Sequence, residues 1–173
     1  NYRPVSNLSV LSKIMERVVS RQLNNHLNST GLFPSQQSAY RKNHSTETVI
    51  ARVCSDLFTR LDDGDSSTMA FLDLSAAFDT VDKQILLRRL STSFGIHGSA
   101  LEWLDSYLDN RTEFVLFNGM QSPVRTVRYG VPQGSVLGPL LFVLYTADLQ
   151  HIARQHIIMS HYYADDSQLY VFS

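Results

Sequence analysis

Between residues 8 and 27 apolar side chains return every three or four positions: Leu8, Leu11, Ile14, Met15, Val18, Val19, Leu23 and Leu27. That period predicts an amphipathic helix, with Lys13, Arg17 and Arg21 recurring on another face as a cationic stripe. Asn28-Ser29-Thr30-Gly31 stops it, and Leu32-Phe33-Pro34 carries the chain on in extended form. Val49, Ile50, Val53, Leu57, Phe58 and Leu61 predict a second helix, with Ser45 or Thr46 as N-cap and Glu47 in its first turn, ended by Asp62-Asp63-Gly64-Asp65. The pattern then changes. Thr68 to Leu74 is nearly continuously apolar and predicts a strand buried mid-sheet, interrupted by Asp73. Asp82 caps a helix built on Ile85, Leu86 and Leu90, and a further short helix carries Leu101, Trp103, Leu104, Tyr107 and Leu108, with Trp103 read as core. Thr112 to Phe117 alternates as a strand, Asn118-Gly119 signals a hairpin, and Val124 to Tyr129 is its expected partner. After a Gly- and Pro-shaped loop, Gly130 to Ser135, a largely apolar helix is expected from Ser135 to about Ala153, with Pro139 tolerated in its opening turns. Ile157 to Phe172 reads as strands again.

Composition adds little until it is divided along the chain. The overall charge of −1 over 173 residues is unremarkable for a globular protein, and no apolar run is long enough to span a bilayer. Residues 1–60, however, carry eight Lys and Arg against three Asp and Glu, while 61–173 carry seven against thirteen. A basic part beside an acidic part suits an enzyme that grips polyanions and holds metal, although two solvated faces of opposite sign have the same signature. A single cysteine, Cys54, excludes an internal disulfide and a multi-cysteine zinc site, and reads as a small core residue. His151, His156 and His161 recur every five residues, which does not stack them on one helix face, so they read as structural or solvated. Starting at Asn1 and ending at Ser173 inside a strand-like run, the chain reads as a fragment.

The candidate chemistry lies in the acids that interrupt apolar stretches. Asp165 and Asp166 sit between His161-Tyr162-Tyr163 and Leu169-Tyr170-Val171-Phe172, so the local reading is a β-hairpin that presents two carboxylates at its tip. Adjacent like charges repel unless a divalent cation lies between them. On the tetrapeptide alone a metal-binding turn and a solvated Asp-Asp turn stand level. Asp73 adds an acid from a different strand. Arg41 and Lys42, on a loop ahead of a helix N-terminus, add cations suited to a triphosphate.

Taken in order, these features resemble the reverse transcriptase domain of non-long-terminal-repeat (LINE-type) retrotransposons. Five blocks carry the resemblance: Asn1-Tyr2-Arg3-Pro4-Val5-Ser6; Ser38-Ala39-Tyr40-Arg41; Phe71-Leu72-Asp73-Leu74-Ser75-Ala76-Ala77-Phe78-Asp79; Gly130-Val131-Pro132-Gln133-Gly134-Ser135-Val136-Leu137-Gly138-Pro139; and Tyr163-Ala164-Asp165-Asp166. The resemblance implies an α+β right-hand polymerase palm, an antiparallel sheet backed by helices, with part of the fingers and no thumb. Residues 1–66 would be the basic, fingers-like part and 67–173 the palm.

The resemblance further implies an RNA-directed DNA polymerase, a nucleotidyltransferase that adds deoxynucleotides to a primer 3′-hydroxyl by two-metal phosphoryl transfer in retrotransposition. Asp73 and Asp165 would be the main ligands of two Mg²⁺ ions, with Mn²⁺ able to substitute, Asp166 beside them and the Leu74 carbonyl facing a metal. The Asp73 and Asp165 carboxylates are therefore expected within reach of one shared ion. Arg41 and Lys42 would hold triphosphate oxygens. Phe78, five residues past Asp73, would lie under the sugar and collide with a 2′-hydroxyl. Gln133 would contact the incoming nucleotide or the template, with Gly134 allowing the approach, and Tyr163 would position the turn or the primer end. Asp79 and Asp148 are expected to act through helix capping or turn hydrogen bonds. RNA template, DNA primer and deoxynucleoside triphosphates are the implied partners, with no membrane, and the endonuclease and thumb segments lie elsewhere in the full-length protein. That protein is expected in the nucleus after cytoplasmic assembly on RNA, and the fragment alone is expected to be inactive. The alternatives are another palm polymerase, a maturase or a telomerase-like enzyme, and from a different class a non-catalytic nucleic-acid-binding remnant.

Overall fold

The computed structural model describes residues 5–173, so Asn1 to Pro4 of the first block lie outside the described residues. The chain forms two compact units, neither of them a continuous stretch: one takes the chain up to Leu32 together with Ala76–Leu141, the other Phe33–Ser75 with Phe142–Ser173.

The first unit is mainly helical. Ser9 opens α1 (Val10–Ser29), its hydroxyl accepting the Ser12 N–H at 3.1 Å. Only Leu23 and Leu27 of the predicted apolar stripe are buried, whereas Leu11, Ile14, Met15 and Val18 are exposed, because nothing among the described residues covers that face of the helix. Lys13, Arg17 and Arg21 are exposed as expected. Asp82 caps α3 (Lys83–Thr92) by accepting the Ile85 N–H at 3.0 Å, and α3 packs against α4 (Gly98–Leu108), where Trp103 is half-buried and stacks on Tyr107.

The single hairpin expected over 112–129 is instead four two-residue strands. Asn118 and Gly119, at φ 48° and 76°, make the predicted turn, but it joins β3 (Leu116–Phe117) to β4 (Met120–Gln121), while β2 (Thr112–Glu113) pairs with β5 (Arg125–Thr126). Ser122-Pro123 lies between the two ladders, and proline has no N–H to continue one; the Ser122 hydroxyl instead accepts from the Val115 N–H at 2.9 Å.

The second unit is a sheet backed by α2 (Thr46–Asp62), which Ser45 opens with a capping box whose other member is Thr48. The sheet has the order β1-β7-β6, antiparallel throughout: β1 (Ser67–Asp73), β6 (Met159–Tyr163) and β7 (Asp166–Phe172). Val49 and Val53 of α2 pack on Tyr170, with Leu57, Met69, Tyr163 and Phe172 around them. The Tyr170 hydroxyl donates to Asp56 at 2.6 Å, and Asp56 also meets buried His161 and Arg52. Burial works to raise the Asp56 carboxyl pKa, but those hydrogen bonds and charges outweigh it and hold the group below its ordinary value. His161 is therefore structural, as the sequence suggested.

Two expectations need correction. First, β1 is not a mid-sheet strand and Asp73 is not a buried acid. Among the described residues β1 pairs only with β7, and Phe71, Leu72, Asp73 and Leu74 are exposed, Phe71 at 72%. A continuous apolar run marks a strand able to be covered on both faces, but α2 covers only one side near Met69. Second, the long apolar helix starts at Gly138 rather than Ser135 and breaks at Ala147-Asp148 into α5 (Gly138–Thr146) and α6 (Leu149–Gln155). The Ser135 hydroxyl is used locally, donating to the Pro132 carbonyl at 2.7 Å and accepting the Gly138 N–H at 2.8 Å.

Gly130 is required on two counts. It adopts φ +87°, and a Cβ there would stand 2.9 Å from the Asp79 Cα and from the Phe78 carbonyl oxygen, both backbone atoms. Gly130→Ala should lower the unfolding free energy by about 2 kcal/mol or more, the range of a strained φ with a clash. Urea denaturation followed by Trp103 fluorescence measures it, and a loss under about 0.5 kcal/mol, the scatter of neutral surface changes, would contradict this packing.

Candidate active site

The hairpin forms as read. β6 runs into a two-residue turn, Ala164-Asp165, and Asp166 opens β7. The register places Asp73 opposite Asp166 and Asp166 opposite Tyr163, so Asp73, Asp166 and Tyr163 form one row across the sheet, with Asp165 in the adjoining turn. Directly opposed residues of antiparallel strands share a face, so two acids from separate strands meet beside a third. None of the three carboxylates has a hydrogen-bond or ion-pair partner among the described residues, yet like charges directly opposed are destabilising without a cation. Their donor set is all carboxylate oxygen, which fits a hard divalent ion, and the Leu74 carbonyl is next in the chain. The side chains themselves do not form a group of three in metal-ligating arrangement among the described residues.

The sheet is backed by α2, whose direction the side-chain contacts give. Along α2, Arg60 lies over Phe172 and Asp56 meets Tyr170, so the helix runs toward the Asp166 end as its numbers fall. At ~1.5 Å per helical residue and ~3.3 Å per strand residue the two spans are comparable, so the N-terminal turn of α2 lies toward the Asp166 end of the sheet. That is the positive end of the helix dipole. The loop bearing Arg41 and Lys42 leads into it. The Arg41 guanidinium rests 5.4 Å from the Phe33 ring centroid, and Lys42 is exposed.

Residues 36–38 are tied to the hairpin. Ser38 N–H donates to the Tyr162 carbonyl at 3.0 Å, Tyr162 N–H donates to the Gln36 carbonyl at 2.9 Å, and Gln37 forms a parallel bridge with Tyr162. The Tyr40 hydroxyl has its pKa raised by partial burial, then by the Asp165 charge and by Tyr163. Neither Gln37 nor Tyr40 carried a signal of its own in the sequence, since a lone Gln or Tyr in a polar loop looks like any other.

Phe78, Gln133 and Gly134 belong to the first unit. Phe78 is half-buried on a 3₁₀ turn, Ala77–Asp79. Gln133 is intermediate in burial, and Gly134 takes φ +82° in an exposed turn. Asp79 does not act through capping: both its oxygens accept from the Gln133 Nε2 at 2.9 Å, which leaves Gln133 with its carbonyl oxygen to offer. Asp148 stands at the N-cap of α6 without a side-chain cap bond; its backbone carbonyl accepts from His151 and Ile152 instead. The main surprise of this unit is Glu16, 1% exposed, whose Oε2 accepts the Val136 N–H at 2.6 Å and the Leu137 N–H at 3.2 Å just ahead of α5. In the sequence Glu16 stands between Lys13 and Arg17, with nothing local to mark it as a buried acceptor.

Comparison with known proteins shows the family. The family "Reverse transcriptase (RNA-dependent DNA polymerase)" matches residues 1–173. The chain belongs to the reverse transcriptase family. Among its relatives are "Probable RNA-directed DNA polymerase from transposon BS" of Drosophila melanogaster, 36% identical over 98% of this chain and 19% of its own length, and "RNA-directed DNA polymerase from mobile element jockey" of the same organism, 34% identical over 86% and 16%. This reverse transcriptase chain thus spans about a fifth of the length of the curated relatives it matches. In structure it is similar to telomerase from Candida tropicalis, with a TM-score of 0.66 for an apo form truncated from its C-terminal domain (16% identity, 90% of this chain and 34% of that one) and 0.67 for a complex with a fragment of telomeric RNA (14%, 94% and 29%). Identities this low show a shared fold and no more, so the palm architecture expected from the five blocks is borne out as α+β with an antiparallel sheet. Among the described residues no helix is long and apolar enough to cross a membrane.

Proposed function

We propose that the full-length protein to which this chain belongs is an RNA-directed DNA polymerase of a non-long-terminal-repeat element, extending a DNA primer along an RNA template with deoxynucleoside triphosphates. The observation that carries the reading is the register that sets Asp73 opposite Asp166 beside the Asp165 turn, in a chain of the reverse transcriptase family. Asp73, Asp165 and Asp166, with the Leu74 carbonyl, would hold two Mg²⁺ ions, or Mn²⁺ in their place. When bound, the ions supply charge neutralisation for an in-line displacement at the α-phosphorus and acidify the primer hydroxyl. The chain's own residues do the rest. Arg41, Lys42 and the N-terminus of α2 take triphosphate oxygens. Gln133, its amide nitrogen held by Asp79, offers its carbonyl oxygen to nucleotide or template. Tyr163, packed against Val49, Val53 and Tyr170, positions the turn or the primer end.

Residues 1–66 act as the fingers-like part and 67–173 as the palm in this reading. Thumb and endonuclease segments belong to the full-length polypeptide, which works in the nucleus, and the 173 residues alone do not sustain synthesis. Telomerase-like and maturase readings rest on fold alone, and the two Drosophila relatives favour the mobile-element reading over them.

The test is primer extension on an RNA template by the full-length protein. Wild type should use deoxynucleotides with Mg²⁺. Phe78→Val should raise ribonucleotide use relative to deoxynucleotide by about tenfold or more, since the discrimination is steric and worth ~1–3 kcal/mol. Absent synthesis by wild type, or unchanged sugar discrimination in Phe78→Val, would count against the polymerase reading and the sugar-gate assignment respectively.

A further inference from the structure

Ala164, which opens the turn ahead of Asp165, has φ +55°. For a residue with a Cβ this left-handed conformation is costly and lasts only where neighbours over-determine it. Here one side chain does so. Gln37, 3% exposed, accepts the Ala164 N–H on its Oε1 at 3.0 Å and donates from its Nε2 to the Ala164 carbonyl at 3.3 Å. Its amide thus occupies the place of a peptide group, bonding both polar atoms of the strained residue. The same Oε1 accepts the Ala39 N–H at 2.9 Å, two residues before Arg41.

From this geometry we infer that Gln37 is a positioning residue of the polymerase site: its buried amide locks the Ala164-Asp165 turn and the Arg41 loop to each other, so that the metal-binding acids and the triphosphate-binding cations are set by one group. The backbone bonds of residues 36–38 to Tyr162 fix Gln37 itself, so its reach to the turn is determined by the sheet. Loss of the amide frees Ala164 to relax toward an ordinary φ, which swings Asp165 away from the row formed by Asp73, Asp166 and Tyr163.

The inference rests on the polymerase reading, and the experiment keeps the two apart. In the full-length protein, hydrogen exchange is followed at single amides together with the Mg²⁺ concentration giving half-maximal primer extension. Gln37→Met should speed exchange at Ala164 and Ala39 by about 10–100-fold while the β6–β7 ladder amides, such as Leu169, keep their protection, and should raise the Mg²⁺ midpoint about fivefold or more. Gln37→Glu keeps an accepting oxygen, so both amides should stay protected within about threefold. A purely structural role would instead speed the ladder amides together with Ala164 and leave the Mg²⁺ midpoint of the folded enzyme unchanged. The inference is overturned if Ala164 exchange in Gln37→Met matches wild type, if the Mg²⁺ midpoint does not move, or, where Gln37→Met does not fold, if Ala164 in Gln37→Glu exchanges as fast as an unstructured peptide. A wild-type protein with no Mg²⁺-dependent synthesis would remove the polymerase reading and this inference with it, whereas an active wild type with an indifferent Gln37→Met removes the inference alone.

Discussion

Asp165→Asn in the full-length protein should abolish primer extension, by about a thousandfold or more, while leaving RNA binding within about twofold. The size follows from what the carboxylate supplies. Neutralising one ligand of a two-ion site weakens the electrostatic stabilisation of the transition state, a contribution for which a single preorganised group is worth ~10²–10³. A metal-ligating carboxylate also sets whether the ion binds at all, which adds to that factor. Binding of RNA, by contrast, would in the proposed reading draw on phosphate contacts from cations such as exposed Lys13, Arg17 and Arg21 on α1. Asn is close to isosteric with Asp and accepts on one oxygen, so the turn itself should stand. If Asp165→Asn retained a tenth or more of wild-type synthesis, the hairpin would not be the metal-binding element. If RNA binding fell with it, the variant would have lost structure rather than chemistry. The same comparison separates an enzyme from a nucleic-acid-binding remnant, which would bind RNA equally well in both forms and synthesise nothing in either.

The second large effect concerns stability near the Pro-Gln-Gly loop. Glu16 is almost fully buried and its Oε2 accepts two backbone N–H groups, those of Val136 and Leu137. These lie at the approach to α5, where a helix leaves its first N–H groups without partners and where negative charge is favoured. Glu16→Met retains the side-chain volume but strands both donors, at ~1–3 kcal/mol each. The expected loss is about 3 kcal/mol, read as an exchange rate about a hundredfold faster for α5 amides such as Leu141 in the full-length protein. Glu16→Gln can keep both bonds on its one carbonyl oxygen and should lose far less, forfeiting mainly the charge-assisted part. Equal exchange in wild type and Glu16→Met would show that the loop is held by something else. Its own burial, and after that the charge of nearby Glu16, raises the Tyr107 hydroxyl pKa to about 12, so the phenol stays protonated through the neutral range.

These two residues mark what sequence could and could not reveal. Asp165 was legible because two adjacent acids inside an apolar, aromatic stretch violate the local rule for a buried strand, and such violations gather at functional sites. Helix starts were legible for a similar reason: Ser45, Asp82 and the turn at Asn118-Gly119 act through bonds to their own neighbours, and each does in the structure what its type favours. Glu16 and Gln37 were not legible because their partners are about 120 residues away or across a sheet, and nothing in a Glu on a charged helix or a Gln in a polar loop distinguishes a buried acceptor from a solvated one. The misreading of β1 has another origin. A continuous apolar run reports what a strand could tolerate on its two faces, and among the described residues only part of one face of β1 is covered. Asp79 was expected to cap a turn and instead orients Gln133, again a contact that sequence distance hides.

The central claim is that a strand acid, Asp73, and a turn acid, Asp165, hold the same metal centre. Electron paramagnetic resonance titration of the full-length protein with Mn²⁺ tests it most directly, because bound and free ions are counted without any need for synthesis. Wild type should bind Mn²⁺ at the site, and Asp73→Asn and Asp165→Asn should each weaken that binding by about tenfold or more, the range for losing a group that fixes a bound ion. Binding that is unchanged in either variant would show that the two carboxylates do not share a metal, and the account would fail.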